Sequence, residues 1–351
     1  MHHSQIDPKI RRLIADGTVI PAHPLAVRQD RSLDPVYQRA LTRYYIDAGA
    51  GGLAVGVHTT QFLMHEIGLY RPVLELAAET AASWTKRPLA LVAGLVGVTP
   101  QAITEARIAR GIGYHAGLLS LTGMKQASED EIIAHCTEVA REIPLVGFYL
   151  QPAVGGPILS ADFWRRFAEI DNVIAIKIAP FNRYRTLDVL RGVAAANALD
   201  RITLYTGNDD HILLDLVLPF DLRDKGVTTR VHIKGGLLGH WSVWTASAVK
   251  QFERCRAARG KQALPADLLA LDARVTDCNS AFFDVANDFQ GCIAGLHEIL
   301  RRQGLMQHIW CIDVAEGLSP GQMSEIDRVC REHADLSDDA FVAANLQKWL
   351  A

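Results

Sequence analysis

The stretch VIAIKIAPF, residues 173–181, contains one residue that is not apolar, Lys177. Apart from that ammonium group it reads as a strand covered on both sides, the kind found in parallel sheets. Seven other short apolar runs accompany it: GTVIPAH near 17, GLAVGVH near 52, LALVAGL near 89, YHAGLLSL near 114, IPLVGFYL near 143, ITLYTG near 202 and TRVHIKGG near 229. Amphipathic helical stretches separate them, and strand–helix alternation predicts parallel pairing through right-handed crossovers. Helix start signals support the alternation: Thr99-Pro100 offers a capping hydroxyl before a first-turn proline, and Ser128 with Glu131 fits a capping box.

Eight such units, spaced roughly 25 to 36 residues apart, fill about 230 residues, the size of a TIM (β/α)8 barrel. A doubly wound open sheet is the alternative, since strand count does not establish closure. Beyond Gly236 helical patterning dominates to the terminus. The expected organisation is a barrel core over residues 1–240, with a short lead-in, followed by the last barrel helix and a C-terminal helical extension over 241–351.

Composition narrows the function classes. Among 351 residues, 36 Lys and Arg stand against 39 Asp and Glu, a net charge of -3, and no basic run is interleaved with aromatics. Nucleic-acid and membrane partners are therefore not expected, and small-molecule chemistry is. The six cysteines form no CxxC pair, and the amino-terminal MHHSQIDPKIRRL lacks the apolar stretch of a signal peptide. Reduced thiols and a cytoplasmic location are the expectation.

GAGGLA (Gly49, Gly51, Ala54) matches a dinucleotide fingerprint in letters only, because its glycines end a helix and enter a strand instead of the reverse. The better candidate is Lys177. Side chains alternate along a strand, so Val173, Ala175 and Lys177 share one face, as do Leu145, Gly147 and Tyr149 in the run near 143. If both sets turn inward, Tyr149 and Lys177 stand on adjacent strands about 4.8 Å apart, near the carboxyl ends where barrel active sites lie. An amine in low-dielectric surroundings loses its proton readily, attacks a ketone and forms an imine. The bland reading is a lysine that snorkels to water, and Lys234 in RVHIKGGLL looks locally similar. Periodicity does not choose between the two lysines. A rival metal site from His58, His115 and His240 with Asp209 or Asp210 is disfavoured, because His115 falls near the start of its strand. Trp241 and Trp244 read as helix–barrel packing.

Tyr149 in FYLQP, followed by Lys177 in NVIAIK, resembles the YNxP and GiK segments of the dihydrodipicolinate synthase and N-acetylneuraminate lyase family, the class I pyruvate-type aldolases. GAGGLAVGVHTTQF resembles that family's approach to its Gly-Thr-Thr-Gly-Glu loop, YTGNDD its seventh-strand Gly-Asp-Asp, and HEILRRQGL the end of its helical region. The resemblances keep their order from about residue 17 to 305. They imply Lys177 as Schiff-base lysine, Tyr149 as general acid/base, and Thr59 and Thr60 as holders of the substrate carboxylate. Thr60 counts with the catalytic group, and His58 and Gly207 join as substrate contacts. No cofactor and no metal are implied, because the imine is itself the electron sink, and a homotetramer or homodimer is.

The departures concern specificity. His58, Gln61 and Phe62 stand where the family has Gly, Gly and Glu; Gly123 and Met124 replace a tyrosine pair; Leu150 replaces an Asn, and Val154 the carboxylate-binding arginine. An anionic second substrate such as aspartate semialdehyde has lost its charge partner. The resemblance thus implies a Schiff-base lyase of aldolase type acting on a pyruvate-like 2-oxo acid, not the lysine-biosynthetic synthase. The alternatives are a sugar-acid (2-keto-3-deoxy acid) dehydratase using the same lysine, and a catalytically retired barrel that binds a metabolite or partner.

Overall fold

The structure is a computed structural model that describes residues 1–224 and 226–351. Eight parallel strands form the barrel: β1 (Val19–Pro21), β2 (Gly52–Val55), β3 (Ala90–Leu95), β4 (Ala116–Leu119), β5 (Leu145–Leu150), β6 (Val173–Ala179), β7 (Thr203–Thr206) and, after an outlying hairpin of β8 (Phe220–Asp224) and β9 (Val227–Val231), β10 (Gly235–Leu238). Their order runs β1-β10-β7-β6-β5-β4-β3-β2, and a parallel bridge between Ala22 and Ala54 closes the ring. Helix α1 (Pro8–Asp16) precedes β1. The helices α2 (Pro35–Asp47), α3 (Tyr70–Trp84), α4 (Thr99–Ile112), α5 (Glu129–Ala140), α6 (Ala161–Glu169), α7 (Arg183–Ala195), α8 (Ile212–Val217) and α9 (Thr245–Ala258) each follow a barrel strand, α8 with the hairpin after it. The extension consists of α10 (Ala266–Phe282), α11 (Cys292–Arg302), α12 (Gln322–Glu332) and α13 (Asp339–Leu350).

The barrel is thus confirmed, with one correction to its strands. TRVHIKGG is not the eighth strand: Val227–Val231 pairs antiparallel with Phe220–Asp224, its side chains largely exposed. The barrel strand is the next segment, GGLL, which pairs with β7 and β1. Its glycines are required by close approach. A Cβ on Gly235 would come within 2.7 Å of the Thr18 backbone nitrogen, and one on Gly236 within 2.5 Å of the Trp241 ring.

Two cores result. Outside the barrel the helices bury a continuous apolar layer including Phe163, Trp164, Trp241 and Trp244, so the two tryptophans pack as expected. Inside lies a smaller set: Ile20, Ala54, Val92, Leu118, Val146, Phe148, Ala175 and Leu237. The lead-in plugs the base of the barrel. Ile6, Ile10 and Ile14 join the inner set, and the Tyr205 hydroxyl donates to the Ile14 carbonyl at 2.8 Å. That plug leaves the carboxyl-terminal mouth as the open end.

Local signals mostly behave as their chemistry dictates. Ser128 and Glu131 form the capping box of α5. Val98, not Thr99, takes the N-cap position of α4 and offers no side-chain cap, while the Thr99 hydroxyl pairs with His135 at 2.9 Å. Gly49 takes φ 99° after α2, and a Cβ on Gly51 would overlap Thr18, so GAGGLA is a helix stop with tight packing.

Candidate active site

Lys177 is the point from which the site is built. Strand β6 pairs on both sides, Lys177 lying opposite Phe148 of β5 and Tyr205 of β7. Its side chain enters the barrel mouth, 7 % exposed, with Nζ 4.4 Å from the centre of the Phe148 ring. Burial lowers its pKa below the ordinary lysine range, opposed by the negative charge of Asp209. Gly207 makes room for it: a Cβ at 207 would lie 2.7 Å from Lys177 Cε. Lys234, by contrast, is exposed at the opposite end of the barrel, donating from Nζ to the Ala15 carbonyl at 3.3 Å.

Asp209 is the second ionisable group of the mouth. It follows β7, and its Oδ1 accepts from the His240 amide at 3.0 Å while Asn279 of α10 donates to its carbonyl at 2.6 Å. Burial pushes its carboxyl above the usual carboxylate range, against the attraction of Lys177. Burial disfavours the charge on each of the two groups, and the charge of each favours that of the other.

The expected partner of the amine is not there. Tyr149 faces the helical layer, its ring 5.2 Å from that of Trp164 and its hydroxyl bonded to both the amide and the carbonyl of Leu159 at 3.2 Å. The cause is a pairing irregularity between Leu145 and Val146, after which Val146 lies opposite Ala175 and Phe148 opposite Lys177. Strand β5 itself alternates regularly, with Leu145 and Tyr149 outward and Val146, Phe148 and Leu150 inward. The extra residue lies in β6, where Val173 joins the outer core while Ile174 and Ala175 both join the inner one, so Val173 does not share the face of Lys177. A phenyl ring occupies the place expected for the phenol.

The two threonines separate in the same way. Thr59 lines the mouth with His58. Thr60 is fully buried, and its Oγ1 accepts from the amides of Gly56 and Val57 at 3.0 and 3.1 Å while donating to the His23 carbonyl at 2.7 Å. Its hydroxyl is thus spent on holding the turn that presents Thr59. His58 feels the charge of Lys177, and with burial as the main cause its pKa falls to about 4, leaving a neutral imidazole.

The pocket mouth takes its upper wall from far along the chain. Phe181 follows β6, Phe283 and Phe289 come from the connection between α10 and α11, and Cys292 opens α11. None of these was marked by a motif. Leu150, Gln151 and Val154 complete the side after β5.

The histidine grouping weighed as a metal site is not assembled. His115 Nδ1 accepts from the Leu91 amide near the start of β4, and His240 stacks on Phe282 with centroids 6.2 Å apart. Among the described residues, the clusters of metal-ligand type are His2, His3 and Asp171, and Asp277, Glu332 and His333, all outside the mouth. A cleft at the base of the barrel, lined by His2, Arg141 and Asp171, is separate from the lysine pocket. All six cysteines are free, and no helix of the described residues is long and apolar enough to cross a membrane.

Comparison with known proteins agrees with this architecture. A family model described as the dihydrodipicolinate synthetase family matches residues 17–221. Over 194 residues the chain is 28 % identical to 4-hydroxy-tetrahydrodipicolinate synthase of Azoarcus sp. (strain BH72), covering 54 % of this chain and 61 % of that protein. Over 221 residues it is 25 % identical to N-acetylneuraminate lyase 2 of Escherichia coli O6:H1, covering 62 % and 68 % respectively. The match thus spans about three fifths of the Azoarcus synthase. Among solved structures, YagE of Escherichia coli K12 in complex with pyruvate superposes with a TM-score of 0.73 at 17 % identity, covering 90 % of this chain and 98 % of that one. N-acetylneuraminate lyase from Fusobacterium nucleatum gives 0.71 at 16 %, covering 91 % and 99 %. These two likenesses establish the fold.

Proposed function

The chain belongs to the dihydrodipicolinate synthetase family, and on that premise we propose that it is an imine-forming lyase of 2-oxo acids in which Lys177 is the nucleophile. The observation that carries this reading is a buried amine, the one such group among the described residues lining the barrel mouth, whose pKa is lowered by desolvation. The neutral amine adds to the ketone carbon, the carbinolamine loses water, and the protonated imine withdraws electrons from the adjacent carbon. Removal of a C3 proton then gives the enamine that makes a carbon–carbon bond, and the reverse sequence breaks one.

Proton traffic is assigned to Asp209, because the phenol of Tyr149 is turned away and committed to Leu159. A carboxyl titrating above its usual range in the pocket that holds Lys177 is suited to both accepting and returning the proton. Thr59 and the neutral imidazole of His58 supply polar contacts for the substrate carboxylate. Gly207 keeps the wall beside the lysine low. Thr60 acts only through the turn it fastens.

The apolar side chains of Leu150 and Val154 support a co-substrate other than aspartate semialdehyde. Dehydration of a sugar acid by the same lysine is the second reading, favoured by the same absence of a phenol relay, since loss of water calls on one nearby acid/base. Nuclear magnetic resonance of pyruvate in D2O tests the common step. Wild type is expected to exchange the methyl protons and Lys177→Met to lose that exchange. Unchanged exchange in Lys177→Met, or none in the folded wild type, overturns the reading.

A further inference from the structure

The wall of the mouth facing away from the barrel is aromatic, and the chain distorts its backbone to make it so. Phe181 sits at φ 48° and Phe289 at φ 65°, the left-handed region that bulky side chains avoid. Both rings nevertheless line the lysine pocket, and they meet edge to face with centroids 5.8 Å apart. Each is held by dedicated polar partners. The Phe181 amide donates to Asn208 Oδ1 at 3.1 Å, and Asn208 is fixed by donating to Asp215 at 2.9 Å. The Phe289 amide donates to the Asp284 carbonyl at 3.0 Å, while the Asp284 carboxylate accepts from the amide of Gly291 and the side chain of Asn287. Phe283 adds a third ring beside Gly239, and Leu150 and Val154 face the same space.

Charge tells the same story. Among the described residues lining the pocket, Lys177 is the one cationic side chain, and imine formation uses it. His58 is neutral, and burial keeps the Cys292 thiol protonated. A second carboxylate or phosphate would lose its water and gain no counter-charge. The space beyond the lysine is narrow, about 50 Å³, and largely apolar in its walls, so a ring or alkyl chain suits it better than a hydrated anion.

We propose that the carbonyl partner of the bound 2-oxo acid is a neutral apolar aldehyde, aromatic by preference, received between Phe181, Phe283 and Phe289. This rests on the imine reading above. In the condensing direction the enamine carbon of Lys177-bound pyruvate attacks the aldehyde carbon, forming one carbon–carbon bond. The aldehyde oxygen takes its proton from the Asp209 carboxyl. Water then hydrolyses the imine, releasing a 4-hydroxy-2-oxo acid and restoring the amine and the proton. Cleavage is the same sequence reversed, with no change of oxidation state overall.

The test combines pyruvate with benzaldehyde, glyceraldehyde or glyoxylate and follows adduct formation by liquid chromatography and mass spectrometry, with methyl exchange of pyruvate measured on the same preparation. Benzaldehyde is expected to exceed glyoxylate in kcat/KM by about tenfold or more. Phe289→Ala is expected to lower the benzaldehyde-to-glyceraldehyde ratio by about tenfold, and Phe289→Leu by less. Val154→Arg is expected to raise kcat/KM for glyoxylate. Pyruvate exchange accompanied by a preference for glyoxylate or glyceraldehyde overturns this proposal and leaves the imine reading standing. Absence of exchange overturns both.

Discussion

Substituting Gly207 by alanine adds one carbon in a place where the structure has none to spare. Gly207 is outside the left-handed region, so the new methyl brings no backbone penalty of its own. It would lie 2.7 Å from Lys177 Cε, 3.0 Å from Lys177 Cγ and 2.7 Å from Ala179 Cβ, where ordinary contacts begin near 3.4 Å. Ala179 is part of the strand and yields little, whereas the lysine stem is flexible and swings away. Overpacking of this kind costs about 1–3 kcal/mol, and moving a reacting atom by about 1 Å costs about a hundredfold in rate. Gly207→Ala is therefore expected to fold, to unfold at lower urea, and to exchange pyruvate methyl protons about a hundredfold more slowly. The assignment to Lys177 is checked by a double-mutant cycle. In a Lys177→Ala background two of the three close contacts vanish, so the same substitution should cost about 1 kcal/mol less. Equal cost in both backgrounds, together with undiminished exchange, would refute the placement of the lysine stem against Gly207.

Three further outcomes follow from the geometry. Tyr149→Phe removes hydrogen bonds to Leu159 and should cost about 1 kcal/mol in urea unfolding with exchange changed less than threefold, whereas a catalytic phenol would cost about a hundredfold or more. Asp209→Asn should preserve reductive trapping of pyruvate but slow methyl exchange by about 10²–10⁴. Because the Asp209 charge raises the Lys177 pKa, trapping in that variant should persist to lower pH than in wild type. Finally, His23, His240 and His297 are buried neutral, each with its pKa pushed down to about 4 by desolvation. The unfolded chain binds those protons near the ordinary pKa of about 6.5, so the stability they contribute is present above that pH and lost as pH falls towards 4. Each costs about 2 kcal/mol at pH 5 and the three about 6 kcal/mol, comparable with a whole domain's stability. Thermal melts should therefore fall steeply from pH 6.5 to 5, and a flat profile would show those rings to be protonatable in place.

Much of the barrel was legible because parallel strands covered on both faces must be largely apolar, and β2, β3 and, apart from Lys177, β6 are such runs. The eighth strand escaped because GGLL carries two glycines where close approach forbids a side chain, while the neighbouring VTTRV has the β-branched pattern of a strand and is one, in a hairpin. Lys177 and Gly207 could be found from strand position and motif, and Thr59 and His58 from theirs. Tyr149 was misplaced by a single irregularity in the β5–β6 pairing, which leaves no mark in composition. Parity along a strand holds only while the ladder is regular. Thr60 looked like a ligand because its type is right, but a hydroxyl can serve the backbone instead, and only its partners decide. Phe283, Phe289 and Cys292 reach the lysine through a connection more than a hundred residues downstream of it, so no local pattern could announce them.

The central claim is that one amine, Lys177, forms the imine. Incubation with pyruvate, reduction by borohydride and peptide mass spectrometry tests it most directly. The account predicts a single reduced pyruvate adduct on the peptide containing Lys177, absent from Lys177→Met. An adduct on Lys234, or none on the folded wild-type protein, would contradict it.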